Sequence, residues 1–318
     1  MNTDFIIDSG RFKTGQAAYR AHDPAAWEPG GWYHCQRDLS GLEPWLDNIG
    51  LNPALIKALL AEDTRPRFQP LDDGNFLLII RGVNLNQDEE PDDMLSLRIL
   101  YYQGALISLR KHPFKAIARL HESLSAGSGP RSLDELLLSI IDQLHQHIED
   151  VVENTETEID EIQERLDTIS HSDQRRLTYL HRQLLKLNRF LKPQTTALSE
   201  LLISDYAAKL KTAEKQMLHN QKDVIQRIIE NIEAYLDQVW MLREHIQQAL
   251  AEKMNRNTYW LSLIAGIFLP LSFVTGLLGV NVGGIPGAAT GYAFNILCLI
   301  LAGVGLVEFL LLRRLKFW

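Results

Sequence analysis

Hydrophobic positions change their spacing twice along this chain, and the changes divide it into three parts. Up to about residue 125 the apolar residues come in short runs. Phe76–Ile80, Leu97–Tyr101 and Ala105–Leu109 are bounded by turn residues, which predicts strands, with Gln103-Gly104 turning the second into the third as a hairpin. Between Leu42 and Glu62 the spacing is helical instead, and Asn52-Pro53 is a helix start. Ala126-Gly127-Ser128-Gly129-Pro130 then breaks the chain, and Ser132-Leu133-Asp134-Glu135 reads as a capping box opening a helix. From there to about Arg256 glycine is scarce and Leu, Ile, Gln, Glu and Lys dominate. Interruptions at Ile169–Ser172 and Lys192-Pro193 predict three long helices, the last starting near Ser204-Asp205. That last helix carries a heptad stripe of Ile225, Ile228, Ile232, Tyr235, Val239, Leu242, Ile246 and Ala249, which is the seam of a helix packed on its neighbours.

After Arg256 the pattern becomes apolar on all sides. Trp260–Val280 is 21 residues without a charge, about 32 Å of helix and enough to cross a bilayer core. A second span runs over 293–312, and Asn281–Gly287, rich in glycine with a proline, makes the loop between them. Lys253 and Arg256 precede the first span, Arg313, Arg314 and Lys316 follow the second, and the loop is uncharged, so both termini are expected in the cytoplasm and the loop outside.

Composition alone hides this. The 318 residues are 23% charged with a net charge of −8, as in a soluble protein, at a mean hydropathy of −0.12. Yet Asn257–Val307 holds no Asp, Glu, Lys, Arg or His in 51 residues. Residues 257–318 sum to +2 (Glu308 against three bases), which leaves −10 on residues 1–256. An acidic soluble part suits cations and is a poor nucleic-acid binder. Cys35 and Cys298 make no disulfide framework, and the N-terminus carries no signal-peptide pattern. No P-loop, dinucleotide-binding glycine pattern or His-Glu-x-x-His occurs, so an enzyme is not expected.

A two-helix hairpin encloses no pore alone; it is an anchor, or it oligomerises around one face. Thr258, Ser262, Ala265, Leu269, Ser272, Gly276 and Gly279 share a face of the first span and are small or hydroxyl-bearing except Leu269, while Phe268, Leu271, Val274 and Leu278 lie opposite. Close helix packing enriches small residues equally well. Stepping back in sevens from Thr258 reaches Ala251, Glu244, Asp237, Glu230 and Asp223, four carboxylates on one face, which is either a solvated helix surface or a set of acidic rings drawing cations toward a pore. Among the histidines, His145 and Glu149 share a helix face and make at most a weak, exposed metal site; residues 149–164 hold eight carboxylates and no base.

Gly279-Val280-Asn281 at the end of the first span resembles the CorA superfamily of divalent-cation transporters. Val282-Gly283-Gly284-Ile285-Pro286-Gly287, Thr258-Tyr259 through Phe268-Leu269-Pro270, Glu62-Asp63-Thr64-Arg65-Pro66-Arg67 and Arg182-Gln183-Leu184 through Pro193-Gln194 are similar to its zinc-transporter branch, ZntB. The resemblance covers essentially the whole chain. It implies an α+β cytoplasmic domain (1–125), a long-helix bundle and stalk (126–256), a pore-lining first span (257–280), an external loop (281–292), a second span (293–312) and a basic cytoplasmic tail (313–318), assembled as a CorA-like, funnel-shaped homopentamer. It implies that Gly279, Val280 and Asn281 select ions at the outer mouth. Gly276, Ser272, Leu269, Ala265, Ser262 or Leu261, and Thr258 would line the conduit, and Arg313, Arg314 and Lys316 would close a basic collar. The cargo it implies is a divalent cation, zinc first and magnesium or cobalt as alternatives, with no resident cofactor and with membrane lipid and further copies of the chain as partners. A membrane-anchored metal sensor is the rival reading.

Overall fold

The computed structural model describes residues 3–12, 19–21, 27–166, 169–280 and 291–314. Seven strands form one sheet: β1 Ile6–Phe12, β2 Tyr19–Ala21, β3 Gly31–Gln36, β4 Arg67–Pro70, β5 Phe76–Gly82, β6 Leu95–Tyr102 and β7 Ala105–Arg110. Their order is β2-β1-β3-β7-β6-β5-β4. Every pairing is antiparallel except β3 with β7, which run parallel with Trp32 opposite Leu106. The expected hairpin joins β6 to β7, and Gln103 and Gly104 both take positive φ (47° and 75°), the twist-matched turn that two-residue hairpins favour.

The three sequence-predicted strands are continuous apolar runs because the sheet is covered on both sides. Leu77 and Ile79 of β5, Leu100 of β6, and Ala105, Ile107 and Leu109 of β7 pack with helices α1 (Leu42–Asn48) and α2 (Pro53–Leu60). The alternate residues face the other way, where Phe76 meets Phe68 and Tyr206. The expected start at Asn52-Pro53 opens α2: Asn52 Oδ1 accepts from the Ala54 N–H at 2.8 Å with Pro53 in the first turn.

α3 (Lys115–Ser125) precedes the glycine break, and α4 (Leu133–Glu164), α5 (His171–Leu202) and α7 (Thr212–Leu278) are the three long helices. Ser132 accepts from the Glu135 N–H, and the Glu135 carboxylate reaches back to the Arg131 N–H rather than to that of Ser132. The break before α5 is a full capping box between Ser170 and Asp173. Two boundaries differ from expectation. Lys192-Pro193 does not interrupt α5: proline removes one helical bond, and Leu187, Leu191, Ala197 and Leu198 on both sides are buried and hold the helix across it. Ser204 does cap a helix, but only the short α6 (Asp205–Lys209), because Leu210 is extended; α7 starts at Thr212 after Glu214 caps the Lys211 N–H. The last helix, α8, is Ala293–Arg314.

By internal contacts the chain forms two compact units, Met1–Arg243 and Glu244–Trp318, divided within α7.

Candidate functional site

Within the second unit, α7 and α8 are each long and apolar enough to cross a membrane. Their apolar side chains are uncovered: Phe268, Leu269, Phe273 and Leu277 on α7, and Phe294 and Leu299 on α8, are all exposed. Water does not tolerate such a surface, so lipid or other protein must cover it. Thr258, Leu261, Ser262, Ala265, Leu269, Ser272 and Gly276 are exposed along α7, and so are Gly279 and Val280 just beyond its end. Leu269 is the bulky member, with 70% of its surface free. Nothing stands within 4 Å of where a Gly276 Cβ would be, so that glycine leaves the face open.

Gly279 is required for a different reason. Its N–H donates to Thr275 O at 2.9 Å, and a Cβ there would sit 2.8 Å from the same carbonyl. The helix can end this way only with glycine at that position. Asn281 and Lys316 lie outside the described residues. Arg313 and Arg314 are exposed in the last turn of α8, where cations favour the helix terminus. Both carboxylate oxygens of Glu308 are buried without a hydrogen-bond partner among the described residues.

On the stretch of α7 before its apolar part the two faces separate cleanly. Ile225, Ile228, Ile232, Val239, Leu242 and Ile246 are buried, Tyr235 is half-buried and Ala249 is exposed. Asp223, Glu230, Asp237 and Glu244 are all exposed. Lys222 Nζ lies 3.8 Å from Asp223, whereas Arg227 donates to Glu149 of α4 at 2.9 Å.

That ion pair also decides the fate of the expected His145–Glu149 metal site. Glu149 is spent on Arg227, and His145 is not exposed. Its ring is 1% accessible, with Nδ1 2.8 Å from Gln221 Oε1 of α7 and Nε2 3.3 Å from Gln194 Nε2 of α5. Among the described residues no group of three or more His, Cys, Asp or Glu side chains is arranged to hold a metal ion. His34 of β3 is equally buried, bonded to Ser108 of β7.

Burial holds both rings neutral, pushing His145 down to about 4 and His34 to about 3 from an ordinary 6.5. As pH falls below about 6.5, the unfolded chain takes up these protons and the folded chain does not. Stability of the first unit is therefore expected to fall progressively toward pH 4, with the His34 share lost down to about 3. Urea unfolding between pH 7 and 4.5 measures this, and His145→Leu should flatten the slope; an unchanged slope would show that His145 titrates normally.

Sequence reading missed an arginine cluster under α2. Arg98 of β6 is fully buried and donates to Leu59 O, Ala61 O, Glu62 O and Thr64 Oγ1. Arg37 adds a bond to Ala61 O at 2.7 Å, and Arg81 one to Thr64 O at 2.8 Å. Two guanidinium groups, of Arg98 and Arg37, thus meet the carbonyl end of α2, where its dipole is negative, and Arg81 holds the segment that follows. The Glu62–Arg67 motif noted in the sequence is the segment they hold. No apolar period points to such a cluster.

An α/β unit followed in the chain by long helices and two helices of membrane-spanning length is the element order of a membrane ion transporter. The family model for CorA-like Mg2+ transporter proteins matches residues 30–314, and the chain belongs to that family. It is 39% identical over 315 residues to the zinc transport protein ZntB of Vibrio parahaemolyticus, covering 98% of this chain and 97% of that one. It is 36% identical over 289 residues to the divalent cation transporter CmaX of Pseudomonas aeruginosa, covering 90% and 86%. The solved structure of full-length CmaX superposes with a TM-score of 0.84 at 32% identity, over 98% of each chain.

Proposed function

We propose that this chain transports divalent cations, zinc in particular, through a homopentameric pore in a bacterial inner membrane, with both termini in the cytoplasm. The observation that carries the reading is the uncovered small-residue face of α7, in a chain that matches a zinc transport protein from end to end. Five copies of Thr258–Gly276 would line the conduit, with residues 293–312 forming the outer ring of helices. Asn281 at the outer mouth offers an amide oxygen that accepts hydrogen bonds from the water around a cation, so the ion need not be stripped. Leu269 closes an apolar neck that gates by dewetting. Below the membrane, Asp223, Glu230, Asp237 and Glu244 raise the local cation concentration. Arg313, Arg314 and Lys316 form a collar at the anionic inner leaflet.

Residues 257–280 contain no Cys, His or carboxylate, and soft transition-metal sites are built from those ligands. Zinc therefore passes hydrated, without side-chain coordination in the conduit. The test is uptake of Zn²⁺, Mg²⁺, Co²⁺ and Ni²⁺ into vesicles holding the purified protein, with and without a pH gradient. Zn²⁺ uptake above the others is expected. Equal Zn²⁺ and Mg²⁺ uptake removes the zinc assignment, and no divalent uptake by folded oligomers removes the transport reading.

A further inference from the structure

The bonds of His145 belong to a longer chain. The Arg81 backbone N–H of β5 donates to Gln194 Oε1 of α5 at 2.7 Å. The Gln194 amide then meets His145 Nε2 of α4 at 3.3 Å, and His145 Nδ1 meets Gln221 Oε1 of α7 at 2.8 Å. Gln221 Nε2 donates to Asp142 Oδ1 at 2.6 Å, and Asp142 Oδ2 accepts from Gln146 at 2.9 Å. His145, Gln194 and Gln221 are buried.

The polarity of this chain is fixed at both ends. A backbone N–H can only donate, so Gln194 must turn its oxygen to Arg81 and its NH₂ to the histidine. A carboxylate accepts, so Gln221 must turn its NH₂ to Asp142 and its oxygen to the histidine. His145 is left one arrangement, neutral with its proton on Nδ1. The groups facing the ring from α5, α7 and β5 are the two glutamine amides and, behind Gln194, the Arg81 N–H; on α4 the charge of Asp142 reaches it through Gln221.

An apolar seam tolerates slippage, whereas a buried polar chain of one polarity admits a single register. Turning α7 by one residue, about 100°, would leave the His145 N–H and Asp142 Oδ1 without partners. We infer that His145, Gln194 and Gln221 are positioning residues for transport: they fix the rotation of α7 about its own axis relative to α4 and α5. The inference rests on the transport reading above.

The test uses the full-length protein in vesicles. Gln221→Glu keeps the acceptor for His145 but sets two carboxylates against each other, and is expected to lower maximal Zn²⁺ flux by about fivefold or more at unchanged half-saturation. Adding Asp142→Asn restores one donor and one acceptor with reversed polarity, and is expected to return flux to within about twofold of the parent. Full flux in the single variant overturns the inference. So does a double variant that assembles and melts like the parent without recovering flux. If the single variant does not fold, the double variant and the histidine ¹⁵N spectrum decide. That spectrum should show His145 protonated on Nδ1, with His145→Leu giving the assignment, and a proton on Nε2 overturns the chain. Absence of Zn²⁺ flux in the parent removes the transport reading and this inference with it, whereas normal parent flux with an indifferent variant removes the inference alone.

Discussion

Exchanging Leu269 for serine is expected to raise the resting flux of divalent cation through reconstituted protein by about tenfold or more, the change that a barrier lower by about 1.4 kcal/mol produces. Leu269 is the bulky residue on a face otherwise built from Thr258, Ser262, Ala265, Ser272 and Gly276, and it stands free of its own chain. If five copies of α7 surround an axis, five isobutyl groups meet at one level and exclude water from it. A hydroxyl there can hold water by hydrogen bonds, and a hydrated ion can follow. Efflux from vesicles preloaded with Zn²⁺ measures the change, with Phe268→Ser on the opposite face as the control. Flux that is unchanged by Leu269→Ser, or raised equally by both, would place the constriction elsewhere.

The second large effect is on stability. Arg98→Met should cost the first unit about 2–5 kcal/mol, because two carbonyls are left unpaired at about 1–3 kcal/mol each. The methionine fills the volume, but Leu59 O and Ala61 O lose their forked donor. Arg98→Lys should recover only part of this, because one ammonium cannot span carbonyls that a planar fork serves together. Urea unfolding followed by the fluorescence of buried Trp32 and Trp45 gives the number. A loss below about 1 kcal/mol would mean that Arg37 and Arg81 hold the helix end without Arg98.

Both predictions concern features of differing legibility. The small-residue face can be counted from the sequence because helical spacing is local, and so can β5, β6 and β7, whose two-sided burial writes uninterrupted apolar runs. β3 is as deeply buried, yet Gly31-Trp32-Tyr33-His34-Cys35-Gln36 shows no such run, since His34 is paid for by a serine hydroxyl on a strand 74 positions away. β1 is partly polar and β4 is only 4 residues long, and no periodicity marks either. His145 reads as exposed because its neighbours are Gln146 and His147. Its burial depends on two glutamines from other helices, at 49 and 76 residues' separation. Pro193 reads as a helix stop because propensity is local, and packing on either side overrides it. Non-local partnership decides each of these cases.

The one parallel pairing in the sheet sets an order of events during synthesis. β3 cannot join β7 until β7 exists, so β1, β2 and β3, which pair among themselves, wait apart from the rest of the sheet until Arg110 has left the ribosome. From that point about 150 further residues are made before Trp260 opens the first span. At roughly 5–20 residues per second this gives the sheet on the order of ten seconds or more to close. The first unit can thus hide its own apolar surface before the two membrane-length helices emerge.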